Sequence, residues 1–329
     1  MKKSKIKSRT QNKRKRKSKL IIEQENQNCK VGTFKKSRNF GFVVLDDKKY
    51  GNDIYIPKKK TLGAKNNQKV VVRIEKEASK NSKPEGSIVE IIGYIDEAGV
   101  DMLTLVKEYN LPNEFPEPVL NEALSISQTI SEKDIQKRVD LRNEEIFTID
   151  GEDAKDLDDA VNVKKNNDGT YTLGVHIADV SYYVKSGSKL DKEAITRGTS
   201  IYMMNRVIPM LPKELSNGIC SLNEGKDRFA LSVIMEINDK GQVISSDIRK
   251  SIIKVTKRMS YTNVYKILKY LESDSDELSE HDIEIVKQYE KYFNHFKLMK
   301  QLAEILKSKR EKDCCLVVDD ECRLRSYCD

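Results

Sequence analysis

Ten consecutive residues, Asp150-Gly151-Glu152-Asp153-Ala154-Lys155-Asp156-Leu157-Asp158-Asp159, carry six carboxylates. Neighbouring like charges raise one another's pKa, so a fold keeps such a cluster mainly where a cation compensates it. Ligands that are all oxygen select a hard divalent ion, Mg²⁺ or Mn²⁺. An acidic surface loop is the plain alternative. A calcium loop of EF-hand type would need D-x-[DN]-x-[DN]-G, which this segment does not meet. Hydrolysis of phosphodiesters is the chemistry such a loop serves, because cations there neutralise developing charge and acidify an attacking water.

The elements around the loop must aim it. Glu144-Glu145-Ile146-Phe147-Thr148-Ile149 reads as a strand entering a core, which places Asp150 at a rigid strand end. Beyond the loop, Val161-Asn162-Val163 and Tyr171 to Ile177 flank Asn166-Asn167-Asp168-Gly169, a hairpin signal. Arg228–Ile237 and Gln242–Lys254 form a second strand pair, and Ser260 caps a helix that follows Met259. From Ser279 to Lys309 the apolar positions Val286, Tyr289, Phe293, Phe296, Met299, Ala303 and Leu306 step by three or four. That spacing predicts one long helix, either covering a domain or entering a coiled coil.

Upstream, residues 29–93 show five short β-prone runs: Val31–Phe34, Phe40–Leu45, Asp53–Pro57, Lys69–Ile74 and Ser87–Ile92. Five strands in so short a span suit a small closed barrel. Phe40 and Phe42 share one strand face beside Lys35, Lys36 and Arg38, and Tyr55 adds a ring on the next strand. Rings interleaved with cations make a stacking surface for unpaired bases; burial of Phe40 and Phe42 in the core is the competing reading. Residues 94–130 read as a connector with one short helix at Val119–Ala123, and a mixed α/β pattern begins at about 131.

The 329 residues carry a net charge of +8, but eleven Lys or Arg fall within the first 19 positions, with no acid among them. Residues 1–28 thus read as a disordered polycationic tail that binds polyanions through counterion release. No apolar stretch suits a signal peptide or a membrane span, so the expected setting is soluble and cytoplasmic, with no membrane partner. Cys29 and Cys220 read as buried small hydrophobes, whereas Cys314, Cys315, Cys322 and Cys328 crowd the last sixteen residues without the C-x₂-C spacing of a zinc site.

The segment Thr148 to Ala160 resembles the active-site signature of the ribonuclease II/ribonuclease R (RNB) family. The likeness continues through Val175-His176-Ile177-Ala178-Asp179-Val180, Gly187–Asp191, Ile208-Pro209-Met210-Leu211-Pro212, Leu215–Leu222 and Asp227-Arg228. Asn39-Phe40-Gly41-Phe42-Val43-Val44 and Asp53-Ile54-Tyr55-Ile56-Pro57 resemble the two nucleic-acid motifs of a cold-shock domain, an OB-fold. The resemblance implies a mainly β plus α+β chain: a cold-shock barrel, then an incomplete mixed α/β RNB domain over 131–312 and an aberrant Cys-rich tail over 313–329. It further implies a 3′→5′ exoribonuclease that releases 5′-mononucleotides from single-stranded RNA with a 3′ end, working as a monomer without a small-molecule cofactor. Asp150, Asp156, Asp158 and Asp159 match the family's four catalytic and metal-site aspartates, which implies Asp150 and Asp159 as direct Mg²⁺ ligands, Asp156 and Asp158 completing a second cation site or orienting the attacking water, and Mn²⁺ as a substitute. Tyr202 matches an aromatic that packs on a base near the 3′ end; His176 and Asp179 read as structural.

Two departures qualify this expectation. Only one cold-shock module follows the basic tail, and after Lys312 the sequence no longer resembles the family, as a reading-frame shift near Asp313 would produce. The expected consequences are impaired hydrolysis and an uncovered apolar stripe on the long helix. An RNA-binding protein without catalysis and a non-functional remnant of a broken gene are the competing readings.

Overall fold

A computed structural model describes residues 28–46, 53–79, 82–204, 206–272, 278–313, 316–318 and 324–326. The basic tail over 1–19 and the cysteines at 314, 315, 322 and 328 lie outside them. The chain divides into two compact units, one of residues 1–114 with 201–208, the other of 115–200 with 209–329.

The first unit is a closed five-stranded barrel in the order β1-β2-β3-β5-β4, from β1 (Cys29–Lys36), β2 (Phe40–Leu45), β3 (Ile54–Pro57), β4 (Gln68–Lys76) and β5 (Glu85–Tyr94). Alternation decides which side chains go inside. Val43 and Leu45 of β2, and Ile54 and Ile56 of β3, are buried with Phe34, Val70, Val72 and Ile88. The partners left between them, Phe42 and Tyr55, point the other way. Helix α1 (Val100–Glu108) follows in the connector, where only the later helix, α2 (Glu117–Ser125), is expected from the sequence. The signal for α1 is weak because Gly99, with φ of 85°, stands where a side-chain cap would stand.

The second unit continues with α3 (Glu132–Ile135), β6 (Val139–Asp140), β7 (Ile146–Asp150), β8 (Asp159–Lys165), β9 (Tyr171–Ala178), α4 (Val180–Tyr183) and α5 (Lys189–Arg197). A hairpin of β10 (Ile201–Met203) and β11 (Arg206–Ile208) belongs to the first unit. Then come β12 (Asp227–Ile237), β13 (Val243–Ser260), α6 (Tyr261–Leu271), α7 (Glu280–Lys287) and α8 (Phe293–Asp313), followed by the short pair β14 (Leu316–Val318) and β15 (Leu324–Ser326). The main sheet runs β12-β9-β8-β7-β13-β6, and β13 is long enough to pair with β12 as well, so the sheet curls back on itself. Ile146, Ala160, Ala178, Ala230 and Ile253 fill its inner face together with Leu157 and Leu222 from loops. Ser260 caps α6 by accepting from Asn263 N, as its position in the sequence indicates.

The long helix expected over 279–309 is broken. Ser279 and Asp282 form a capping box that starts α7; the helix stops at Lys287, a short turn spans Glu290–Tyr292, and α8 begins at Phe293. The break lets Val286, Tyr292 and Phe296 reach one cluster with Phe147, Met259 and Ile267. It also shifts the apolar register, so that Leu302 is buried, with Val163, Tyr171 and Ile237, while Ala303 is exposed. The stripe expected to be uncovered is therefore packed on the outer face of the sheet. Among the described residues no helix is long and apolar enough to cross a membrane.

Candidate active site and RNA-binding surface

Asp150 ends β7 and Asp159 begins β8, so the acidic loop hangs between two strand ends. Its conformation is fixed from inside. Leu157 is buried, its N–H donates to Ser221 Oγ at 3.1 Å, and its carbonyl accepts from Leu222 N at 2.8 Å. Ser221 Oγ donates to the Lys155 carbonyl at 2.8 Å, and the Asp158 carbonyl accepts from Ala178 N at 2.9 Å. Arg258 of β13 donates to the Glu152 and Ala154 carbonyls, both at 2.7 Å. Sequence reading misses Arg258, because only the parallel pairing of Thr148 with Arg258 brings these distant segments together.

The loop's electrostatics are unrelieved. Burial, reinforced by the charges of Asp159 and Asp158, holds the Asp150 carboxyl above the usual carboxylate range, with the Arg258 guanidinium opposing. Burial and the Asp158 charge do the same for Asp159. Asp150 Oδ2 is buried and has no hydrogen-bond partner, and so is Thr148 Oγ1 two residues earlier on the same strand face. A buried acceptor oxygen without a donor is costly and calls for an explanation; among other carboxylates, a hard cation supplies one. The donor set therefore fits Mg²⁺ or Mn²⁺. Among the described residues, however, no three acidic, histidine or cysteine side chains already converge into a cation cage.

Glu152 and Asp153 are exposed, as are Asp158 and Asp159, while Asp156 is half-buried. His176 is fully buried and Asp179 nearly so. Burial works against ionisation of Asp179, but hydrogen bonds from Arg138, at 2.6 Å, and from Ser181 outweigh it and hold its pKa below the usual range.

On the barrel, Phe40, Phe42 and Tyr55 form a patch of partly exposed rings with centroids 5.4, 5.6 and 5.9 Å apart. Their competing reading as core is thereby excluded. Gly41 explains how two rings can flank a buried neighbour: a Cβ there would lie 2.2 Å from the Phe34 ring, which packs beneath the strand. Lys36 and Arg38 are exposed at the edge of the patch, and Lys83 Nζ stands 5.0 Å from the Phe42 ring centroid. Lys83, absent from the sequence reading, had no aromatic neighbour along the chain to mark it. Tyr202 is 67% exposed on the β10–β11 hairpin, in the first unit, whereas the four aspartates are in the second.

A ring-bearing OB-type barrel followed by a curled mixed sheet with an acidic strand-end loop defines a two-part class of chain. Comparison with known proteins narrows it. Residues 138–327 match the RNB domain family, and residues 42–116 match the cold shock domain. The chain is 46% identical over 284 residues to ribonuclease R of Thermotoga maritima, covering 86% of this chain and 38% of that protein. It is 37% identical over 274 residues to ribonuclease R of Escherichia coli, covering 83% and 33%. Among solved structures, Mycoplasma genitalium RNase R in complex with double-stranded RNA matches with a TM-score of 0.74 at 24% identity, over 90% of this chain and 52% of that one. Yeast Ssd1, described as a pseudonuclease, matches at 0.57 and 20% identity, over 74% and 31%.

The chain belongs to the RNB family and is homologous to ribonuclease R. It spans 38% and 33% of the length of these two curated relatives.

Proposed function

We propose that this protein degrades single-stranded RNA from a free 3′ end, releasing 5′-mononucleotides by divalent-metal-assisted hydrolysis. The observation that carries the reading is the buried, unpartnered Asp150 Oδ2 beside Asp158 and Asp159. Asp150, Asp156, Asp158 and Asp159 are the residues that would hold Mg²⁺, or Mn²⁺ in its place. When bound, such an ion neutralises phosphate charge and lowers the pKa of the attacking water. The chain's own part is positional. Leu157, Ser221 and Arg258 pin the loop backbone, so the carboxylates are presented from strand ends rather than from a mobile tether. Phe40, Phe42 and Tyr55 stack on bases, Lys36 and Arg38 meet phosphates, and Tyr202 packs on a base near the 3′ end. The same reading makes the protein a cytoplasmic monomer.

The test is a time course on a 5′-labelled, 3′-tailed RNA with Mg²⁺ or with a chelator. Mg²⁺-dependent shortening that disappears in Asp158→Asn is expected; shortening that survives this substitution would overturn the assignment.

A second reading, an RNA-binding protein without catalysis, is favoured by the lack of a converged cage among the described residues. The same fold in a pseudonuclease is compatible with it. Salt-sensitive RNA binding with no Mg²⁺-dependent shortening would select it.

A further inference from the structure

Asp150 and Asp159 stand on neighbouring strands, yet β7 and β8 share a single register pair, Phe147 with Val161. Each strand is anchored on its other side: β7 pairs with β13 from Ile146 to Asp150, and β8 with β9 from Asp159 to Lys165. The seam between the two carboxylate-bearing strands is thus the weakest backbone junction in the sheet. Helix α8 covers it from outside, through Phe147–Phe296 contact and the packing of Leu302 near Val163. From inside, polar side chains bridge it.

Glu144, just before β7, accepts from Asn162 Nδ2 of β8 at 3.4 Å and pairs with Lys164 Nζ at 2.5 Å. Asn162 Oδ1 lies 3.1 Å from His176 Nε2, His176 Nδ1 lies 2.7 Å from Ser232 Oγ, and Ser232 Oγ lies 2.6 Å from Ser251 Oγ. Since the amide nitrogen of Asn162 serves Glu144, its oxygen must accept. His176 then carries a proton on Nε2 and donates it to this bond. One side chain from each of β8, β9, β12 and β13 joins the chain, and all four are buried. Gly174 on β9 makes room for it, because a Cβ there would lie 2.0 Å from Asn162 Oδ1. Asn162 is three positions from Asp159 and Glu144 six from Asp150, so the bridge ties the two carboxylate-bearing strands together at the end away from the acidic loop.

We propose that Glu144, Asn162 and His176 are positioning residues: their hydrogen-bonded bridge sets the spacing of Asp150 from Asp158 and Asp159, and thereby the loop's affinity for a divalent cation. This rests on the loop being a cation site. A carboxylate set split over two strands cannot hold a small ion if the strands slide, and displacement of ligand-orienting groups typically weakens metal sites about 10–100-fold.

Mn²⁺ binding to the full chain, followed by paramagnetic resonance, tests the inference together with amide exchange in residues 146–150 and 159–163. Glu144 is partly exposed, so Glu144→Ala should fold. It should bind Mn²⁺ about tenfold more weakly and exchange those amides faster, with β12–β13 amides unchanged. Glu144→Gln keeps an acceptor for Asn162 and should stay within about threefold of wild type. Normal Mn²⁺ affinity and normal exchange in Glu144→Ala would overturn the positioning role alone. Failure of the wild-type chain to bind Mn²⁺ would instead overturn the metal reading beneath it.

Discussion

The barrel surface and the acidic loop are built to opposite standards. In the barrel, the rings rest on a filled core, Gly41 leaves space for Phe34 beneath them, and Lys83 already lies over Phe42. Among the described residues, no buried polar side-chain atom of that surface is left without a partner. At the loop, by contrast, a tightly tied backbone presents carboxylates that repel one another, and Asp150 Oδ2 and Thr148 Oγ1 have no partner. Binding sites that use stacking and diffuse charge can be finished by the chain alone. Sites that use converging carboxylates carry a strain that only a ligand relieves, at the expense of stability without it.

The sharpest way to break this comparison is Asp150→Asn. If the loop is a strained cation site, the neutral amide removes one ligand charge and one repulsion together. RNA shortening should fall by about 10³-fold or more, as loss of transition-state charge stabilisation does elsewhere. The melting temperature should meanwhile rise by a few degrees, and RNA affinity should stay within about twofold. A fall in melting temperature would show that the carboxylate serves the fold instead.

Acid sensitivity should separate the two regions next. Burial lowers the pKa of His176 from 6.5 to about 4. The unfolded chain therefore takes up a proton below about pH 6.5 that the folded state refuses until about pH 4. Stability is retained in full above that window and is lost as pH falls through it, by roughly 3–4 kcal/mol at most at 1.36 kcal/mol per pH unit. Melting curves between pH 7 and 4 should show the second unit weakening, and His176→Gln, which keeps a donor toward Asn162, should flatten the loss. The barrel's described part has no histidine, so it should not share this response. Equal slopes in both units would remove the distinction.

Stacking comes third. Phe42→Ala should weaken binding of single-stranded RNA by about 1–3 kcal/mol, about fivefold to 150-fold, with or without Mg²⁺. A loss seen only with Mg²⁺ present would tie the rings to the loop and contradict their independence.

What could be read from the sequence follows the same division. The barrel strands, the hairpin after the loop and the Ser260 cap were legible because each depends on neighbours in the chain: alternation, an Asn-Asp-Gly turn, a serine before a helix. The acidic loop stood out by composition, and the strand before it by its β-branched residues. The break at Tyr289 was not legible, because a continuous stripe and a folded-back pair give nearly the same spacing until Leu302 replaces Ala303 inside. Arg258 and Glu144 were missed for a related reason. Their roles come from parallel pairing and from a seam between strands, and neither leaves a periodic trace. The resemblance to the family singled out four of the six carboxylates; the structure shows which backbone contacts hold their loop.

The smallest predicted effect is also the most selective. Lys36 and Arg38 are exposed, and among the described residues neither side chain is engaged in an ion pair of the fold, while the Lys35 Nζ is held by a hydrogen bond that it donates to Asn67 Oδ1 at 2.8 Å. A cation that meets a phosphate of a single strand contributes about 0.7 to the slope of log affinity against log salt. Arg38→Ala should therefore flatten that slope by about 0.7 and change affinity little at high salt, where counterion release matters least. Lys35→Ala, engaged within the barrel, should change it less. Asp158→Asn should leave the slope unaltered, since the loop's charge acts on a cation and the scissile phosphate and not on the length of strand held by the barrel. An Arg38→Ala slope equal to wild type would move the strand off this edge of the rings.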